Sequence, residues 1–216
     1  MSLSENLKKT QASLNEDTTL VAVSKTKPVS DILEVYNAGQ LDFGENRVQE
    51  MTEKYNELPK DIRWHLIGHL QKNKVKYMAS FVHLIHSVDS EDLLKEIDKQ
   101  AKKNKRIIDC LLQIRIAQED TKFGMEKEEA QLILNDCKTN YKNVRICGLM
   151  GMASFTDDEN QVRAEFRQLK DYFDYFKSYY SALKILSMGM SGDYKIAMEE
   201  GSNMVRIGSS IFGVRN

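Results

Sequence analysis

The sequence contains few residues that interrupt a chain or crosslink it. It has 2 prolines and 11 glycines in 216 residues, which excludes collagen-like and other low-complexity chains. Its 3 cysteines are an odd number without close spacing, which argues against a secreted disulfide framework. Neither sign of charge dominates, since 31 Lys and Arg oppose 32 Asp and Glu. A net charge of -1 therefore argues against a general nucleic-acid or acidic-membrane binder.

Long apolar runs are absent as well. No run approaches the roughly 18 residues of a membrane helix, and the polar N-terminus lacks the apolar segment of a signal peptide. These absences predict a compact cytoplasmic protein that binds neither nucleic acid nor membrane, and we expect it to be a monomer. The first three residues are interpreted as a cloning remnant and take no part in the patterns below.

Apolar runs alternate with segments of helical periodicity along the chain. The eight runs are Leu20–Ser24, Leu41–Phe43, Arg63–Ile67, Phe81–His86, Ile107–Ile116, Val144–Met150, Lys184–Met188 and Met204–Ile207. Strands that alternate with helices predict parallel pairing, and eight such units are the number that closes a (β/α)8 barrel. An open doubly wound sheet is the alternative. We expect one α/β domain, a TIM barrel that spans residues 1–216.

The longest predicted helix follows the sixth run. Thr156 and Glu159 have the spacing of a capping box. Apolar residues then recur at steps of three and four from Val162 to Tyr180, which predicts a helix with one buried face.

Small and hydroxyl residues follow the last two predicted strands. Ser191 and Gly192 directly precede a predicted helix, and Gly208 and Ser209 follow the eighth strand. Glycine lets backbone N–H groups approach an anion closely, and a helix N-terminus adds unpaired donors. Either loop alone is explained by turn glycines. Two such loops on adjacent strands favour a phosphate site, because many barrels bind phosphate there.

Lys25 follows the first predicted strand and is expected in the mouth of the barrel, where burial lowers the pKa of an ammonium. Such a lysine suits Schiff-base formation with a carbonyl. An ordinary surface lysine, like its neighbour Lys27, is the alternative. Together with a phosphate site, Lys25 indicates either pyridoxal phosphate or a phosphorylated aldehyde or ketone substrate. Arg206, two residues before Gly208, is placed to meet the pyridine nitrogen of such a cofactor.

Six motifs carry a resemblance to a known family. They are Val23-Ser24-Lys25-Thr26-Lys27-Pro28, Phe43-Gly44-Glu45-Asn46, Trp64-His65-Leu66-Ile67-Gly68-His69-Leu70-Gln71-Lys72-Asn73-Lys74, Gly148-Leu149-Met150, Ser187-Met188-Gly189-Met190-Ser191-Gly192-Asp193 and Arg206-Ile207-Gly208. From about Leu20 to Gly213 the chain resembles the pyridoxal phosphate homeostasis proteins, also called proline synthase co-transcribed homologues. The resemblance implies a fold like the N-terminal barrel of alanine racemase. It also implies that pyridoxal 5'-phosphate is held as an aldimine by Lys25.

The resemblance assigns cofactor-binding roles and no catalytic residue. Phosphate-binding positions of the family match Ser191, Gly192, Gly208 and Ser209, and the arginine at the pyridine nitrogen matches Arg206. Two further motif residues near the cofactor, with less defined roles, match Asn46 and His69. Many family members carry threonine where Ser209 stands, and serine keeps the hydroxyl donor.

The function that follows is control of the free cofactor. The chain ends at Asn216, whereas alanine racemase takes its second acid/base, a tyrosine, from a further C-terminal domain. We therefore expect a protein that buffers pyridoxal phosphate or delivers it to apo-enzymes, with little or no catalysis. The alternatives are an amino-acid racemase of low activity, a Schiff-base aldolase acting on a phosphorylated sugar, and an interaction protein that retains an ancestral site.

The four histidines give no metal motif. His65 and His69 are four residues apart, but the segment around His65 is predicted as a strand, so the pair does not share a helix face. His83 and His86, in or beside the fourth strand, are interpreted as structural. No metal site is expected.

Overall fold

The structure is a computed structural model, and it describes residues 2–118 and 123–213. Eight parallel strands pair in chain order, and the last pairs with the first to close a barrel. The predicted (β/α)8 class is confirmed, and the open sheet is excluded. None of the helices in the described residues is both long enough and apolar enough to cross a membrane.

The strands lie close to the predicted runs. They are β1 (Thr19–Val23), β2 (Asp42–Glu45), β3 (Arg63–Leu66), β4 (Leu84–Val88), β5 (Ile108–Gln113), β6 (Val144–Met150), β7 (Ile185–Met190) and β8 (Met204–Ile207). The sixth and eighth have the predicted bounds. The fourth begins three residues later than predicted, because the N–H groups of Phe81 and Val82 still bond to the Met78 carbonyl at the end of the preceding helix.

Helices connect the strands on the outside of the barrel. They are α1 (Leu3–Ala12), α2 (Val29–Asn37), α3 (Val48–Glu57), α4 (Val75–Met78), α5 (Glu91–Lys103), α6 (Lys127–Asn140), α7 (Glu159–Lys177), α8 (Tyr194–Glu199) and α9 (Ser209–Phe212), with a short 3-10 helix at Lys72–Lys74. The large apolar core lies between strands and helices, and a smaller cluster occupies the barrel interior. That arrangement leaves the C-terminal ends of the strands to form the mouth.

The helices differ from the sequence analysis in three places. Ser2 and Leu3, which were left out of the predicted patterns, belong to the fold, since Ser2 and Glu5 form the capping box of α1. The cap of α7 is Asp158, whose carboxylate accepts from the N–H groups of Asn160 and Gln161, and the Thr156 hydroxyl instead accepts from the Asp158 N–H. In the third place the structure has α9, which was not predicted because four residues carry too little periodicity.

Gly148 in β6 is required by close backbone approach. A Cβ there would lie 1.8 Å from the Ile185 carbonyl oxygen of β7, where neither group has room to move. We expect Gly148→Ala to destabilise the protein by at least about 3 kcal/mol in a urea unfolding titration. Gly192→Ala is the control, since a Cβ there meets no other atom within 4 Å, and we expect a change within about 0.5 kcal/mol. Equal stability of the two variants would contradict the packing described.

Candidate functional site

The strand register places Lys25 between the first, second and last strands at the mouth. Val23 pairs with Gly44 of β2, and Ala22 pairs with Ile207 of β8. Two residues beyond Val23, Lys25 is therefore level with the chain that leaves β2 and with the loop after β8. The side chain is partly buried, as the sequence predicts for a lysine in the mouth.

The two residues that flank Lys25 are both held by acidic side chains. The Ser24 hydroxyl donates to Glu45 Oε1 at 2.6 Å, and the Thr26 N–H donates to Glu50 Oε1 at 2.6 Å. Thr26 has a φ of 64°, a left-handed conformation that costs a β-branched residue energy. The surrounding contacts thus fix a strained turn, and this turn sets where Lys25 points.

Lys54 of α3 joins the two carboxylates into one buried cluster. Its ammonium donates to Glu45 Oε1 at 2.8 Å, to Glu50 Oε1 at 2.7 Å and to the Ser24 carbonyl at 2.8 Å. Glu45 is fully buried, and its second oxygen, Oε2, has no hydrogen-bond partner among the described residues. Burial raises the pKa of Glu45 above its ordinary value, while Lys54 opposes that rise. The base of the Lys25 turn therefore depends on one buried ion pair.

The loops after β7 and β8 are in direct contact. Ser191 Oγ accepts from the Gly208 N–H at 3.2 Å, and a Cβ on Gly208 would lie 3.1 Å from the Val23 carbonyl of β1. Within the described residues, the N–H groups of Gly192 and Ser209 donate to no other group, and both residues are exposed. The two loops thus present available backbone donors beside the end of β1, which is the donor set that an anion needs.

Arg206 of β8 lies inside the barrel and is 3% exposed. One terminal nitrogen, Nη1, donates to the Ser187 carbonyl at 2.9 Å and to Ser187 Oγ at 2.6 Å, and the other, Nη2, donates to the Gly151 carbonyl at 3.1 Å. Burial lowers the pKa of Arg206 to about 10, so the guanidinium stays charged at neutral pH. Three bonds fix its plane and leave one Nη2 hydrogen and the Nε hydrogen for a bound molecule.

Asn46 and His69 meet in a neighbouring part of the mouth. They share the lining of a cavity of about 310 Å³ with Arg47, Gln49 and other residues of α3 and the 3-10 segment. His69 Nδ1 is 3.0 Å from Asp89 Oδ2, and its ring stacks on Phe123 with centroids 3.9 Å apart. Neither Lys25 nor Arg206 lines this cavity, so the structure does not place Asn46 and His69 in one pocket with the lysine and the arginine.

Sequence reasoning missed the residues that support the site. Glu45 and Ser187 stand in motifs that were singled out, but a buried role cannot be read from a motif alone. Lys54 gave no signal, because a lysine in an amphipathic helix reads as solvent-exposed. His86 was interpreted as structural; its Nδ1 lies 3.1 Å from Ser187 Oγ, which links it to Arg206.

The donor set fits pyridoxal phosphate on three counts. A partly buried primary amine lies at the end of β1, two loops offer unused N–H donors for a phosphate, and a buried guanidinium keeps unused hydrogens. A lysine, phosphate donors and an arginine are groups that can bind the cofactor's aldehyde, phosphate and ring nitrogen, respectively.

Comparison with known proteins identifies relatives along the whole chain. The family model described as "Alanine racemase, N-terminal domain" matches residues 1–216. The pyridoxal phosphate homeostasis protein of Aquifex aeolicus is 43% identical over 91% of this chain and 86% of its own length. That of a Synechocystis strain is 38% identical and covers 94% of both chains.

Solved structures agree with the sequence relatives. PipY of Synechococcus elongatus, a COG0325 family member determined with PLP bound, superposes with a TM-score of 0.90 at 34% identity, covering 98% of this chain and 100% of its own. Alanine racemase of Clostridium difficile superposes with a TM-score of 0.81 at 16% identity and covers 99% of this chain and 57% of its own, which shows the shared barrel fold. The chain belongs to the family of pyridoxal phosphate homeostasis proteins, built on the barrel of the alanine racemase N-terminal domain.

Proposed function

We propose that this protein binds pyridoxal 5'-phosphate at the mouth of its barrel and buffers the cofactor or delivers it to apo-enzymes, with little or no catalysis of its own. The observation that carries the proposal is the strand register, which places Lys25 at the mouth beside the β8 loop, together with the contact of that loop with the β7 loop. The PLP-bound structure of the relative PipY, at 34% identity over nearly the whole chain, supports it.

Each candidate site residue at the mouth of the barrel has one role in this proposal. Lys25 is the amine that holds the cofactor covalently, and the Glu45 and Lys54 cluster fixes the turn on which it stands. The N–H groups of Gly192 and Ser209 would hold the phosphate, and Gly208, which has no side chain, would let the backbone approach it. Ser191 holds the two loops together through the Gly208 N–H. Asn46 and His69 line the neighbouring cavity.

Arg206 is proposed to limit chemistry rather than promote it. When bound, the cofactor supplies an electron sink whose strength depends on protonation of its ring nitrogen. A guanidinium with a pKa of about 10 donates hydrogen bonds at neutral pH and has no proton to give up readily. Facing the ring nitrogen, Arg206 therefore keeps that nitrogen unprotonated, which suits storage better than turnover.

The phosphate contacts are tested by two serine variants. We expect Ser209→Ala and Ser191→Ala each to weaken pyridoxal phosphate binding by about 1.5–3 kcal/mol, a rise of roughly 10- to 150-fold in Kd, because each removes a hydroxyl that binds or organises a charged group. Equilibrium titration of the ligand-free protein measures this. Ser210→Ala is the matched control, an exposed neighbouring hydroxyl without a proposed role. Unchanged affinity in both variants would place the phosphate elsewhere.

The low activity is tested against racemisation. We expect the loaded protein to interconvert D- and L-alanine no faster than about tenfold above free pyridoxal phosphate at the same concentration, because Arg206 leaves the ring nitrogen a weak electron sink. Chiral chromatography of the reaction measures the rate. Robust racemisation would favour the racemase alternative and contradict the storage function.

The proposal also covers the delivery of the cofactor, the cell compartment and the oligomeric state of the protein. We infer a cytoplasmic monomer, a single cofactor-binding domain that passes pyridoxal phosphate to apo-enzymes. The support is that Cys110, Cys137 and Cys147 are buried free thiols, as in a reducing compartment. Transfer to an apo-enzyme in the presence of a scavenger of free cofactor tests delivery, and only transfer that outpaces scavenging supports it.

A further inference from the structure

A hydrogen-bond chain of buried polar side chains starts at Arg206 and crosses the barrel. Ser187 Oγ lies 2.6 Å from Arg206 Nη1 and 3.1 Å from His86 Nδ1, and His86 Nε2 lies 2.9 Å from His65 Nδ1. At the far end His65 Nε2 lies 2.9 Å from Asp42 Oδ1. Because β4 and β7 are not neighbours in the barrel, the contact between His86 and Ser187 passes through its interior. All five residues are buried.

Asp42 and Arg206, at the two ends of this hydrogen-bond chain, determine the direction of its hydrogen bonds. The Asp42 carboxylate only accepts, so His65 carries a hydrogen on Nε2 and, when neutral, accepts at Nδ1. His86 then donates from Nε2 and accepts at Nδ1 from the Ser187 hydroxyl. At the other end Arg206 only donates, so Ser187 Oγ accepts from it and has its own hydrogen for His86. Both ends demand the same arrangement, and every bond receives one hydrogen.

The charges around the chain favour this arrangement. His86 is completely buried, and burial, followed by the nearby His65, Arg206 and His83, lowers its pKa well below the ordinary value. A neutral His86 has one ring hydrogen, which the chain places on Nε2. The Asp42 carboxylate is also paired with Arg63 at 2.6 Å, at the N-terminal end of the barrel.

We infer that Ser187, His86 and His65 are positioning residues for Arg206, joining its guanidinium to the Asp42 carboxylate through hydrogen bonds that all run in one direction. The chain fixes the Ser187 hydroxyl oxygen as an acceptor toward Nη1, which uses both Nη1 hydrogens and leaves the Nε and one Nη2 hydrogen for the bound molecule. This role rests on the proposed function, because it concerns the group that Arg206 would hold.

The tautomers are tested on the ligand-free protein, which separates this inference from the proposed function. With only 4 histidines in the chain, the ring nitrogens are assignable by ¹⁵N NMR with one substitution for each. We expect both His65 and His86 to carry their hydrogen on Nε2, with His86 remaining neutral between pH 6 and 8. A hydrogen on His86 Nδ1 at neutral pH would overturn the inference, since Ser187 would then lose its acceptor.

The effect on Arg206 is tested with pyridoxal phosphate by Ser187→Ala. The variant removes one acceptor from Arg206 and the donor to His86, and we expect a rise of about fivefold or more in Kd and a changed pH titration of the bound chromophore's absorbance. Ser87→Ala is the matched control, a buried serine in β4 whose hydroxyl has no partner among the described residues, and we expect the wild-type titration.

Each outcome of the combined experiment decides one proposal. The expected tautomers with a changed titration in Ser187→Ala alone support the inference. An unchanged titration in Ser187→Ala would give the hydrogen-bond chain only a structural role and would overturn the inference. Cofactor binding by the wild type would still support the proposed function. A protein that shows the tautomers and binds no pyridoxal phosphate overturns the proposed function and, with it, the role of the chain.

Discussion

Lys25→Ala is expected to lose all borohydride-stable attachment of pyridoxal phosphate and to bind the cofactor about 100-fold more weakly, equivalent to about 3 kcal/mol. The amine at the end of β1 is the group proposed to hold the cofactor covalently, and alanine removes it. The β7 and β8 loops and Arg206 remain, so residual binding through phosphate and ring contacts is expected. Absorbance titration measures the affinity, and mass spectrometry after reduction measures the attachment.

Lys27→Ala is the control for that variant. Lys27 is two residues away on the same turn, but its ammonium donates to the Phe212 carbonyl at 2.9 Å. We expect this variant to keep the covalent attachment. If Lys25→Ala still formed the reducible adduct and Lys27→Ala did not, the assignment of the amine would be wrong.

The second large effect concerns folding. Lys54→Met is expected to destabilise the protein by about 3–5 kcal/mol, because it leaves the fully buried Glu45 without its cation. Methionine keeps most of the aliphatic volume, so the loss reports the charge rather than a cavity. Urea unfolding at neutral pH measures it. Lys95→Met is the control, since Lys95 pairs with Glu91 on the exposed face of α5, where an ion pair contributes little.

The stability lost in Lys54→Met is expected to depend on pH in one direction. Burial raises the pKa of Glu45 in the folded protein, so the folded state binds this proton more tightly than the unfolded chain. The stability that Glu45 contributes is therefore complete below its unfolded pKa and declines as the pH rises through the raised folded value. Lys54→Met removes the group that opposes the rise, so we expect its deficit to shrink as the pH falls. A deficit independent of pH would contradict the ion-pair explanation.

The double variant separates charge from packing. Glu45→Gln in the Lys54→Met background removes the uncompensated charge, and we expect it to recover most of the lost stability. No recovery would mean that Lys54 stabilises the turn through the Ser24 carbonyl and Glu50 alone.

The parts of the fold that the sequence predicts are those with a repeating pattern. Eight apolar runs with helical segments between them are sufficient for a (β/α)8 barrel, because parallel strands joined by right-handed crossovers have few ways to close. Predicted ends differ where a backbone contact decides them. The fifth strand was predicted to reach Ile116 but ends at Gln113, where Ile114 instead forms an isolated bridge to Met125. Such contacts between distant residues leave no periodic trace.

The candidate site residues at the mouth of the barrel were predictable to a similar extent. Residues that follow strand ends can be located from the runs, which is why Lys25, Ser191 and Gly208 were identified. The structure shows that the last two loops contact each other. Their roles toward the cofactor stay predictions. The buried residues that are hydrogen-bonded to Arg206 and to one another were not predictable. His65, His86 and Ser187 come from three strands and are brought together only by the closure of the barrel.

The most direct test of the account is to map the covalent attachment on the wild-type protein. The protein is loaded with pyridoxal 5'-phosphate, reduced with borohydride, digested and sequenced by mass spectrometry. We expect one modified peptide, carrying the mass of the reduced cofactor on Lys25. A modification spread over surface lysines, or located on another lysine, or absent from a protein that folds normally, would contradict the assignment of the barrel mouth as the cofactor site.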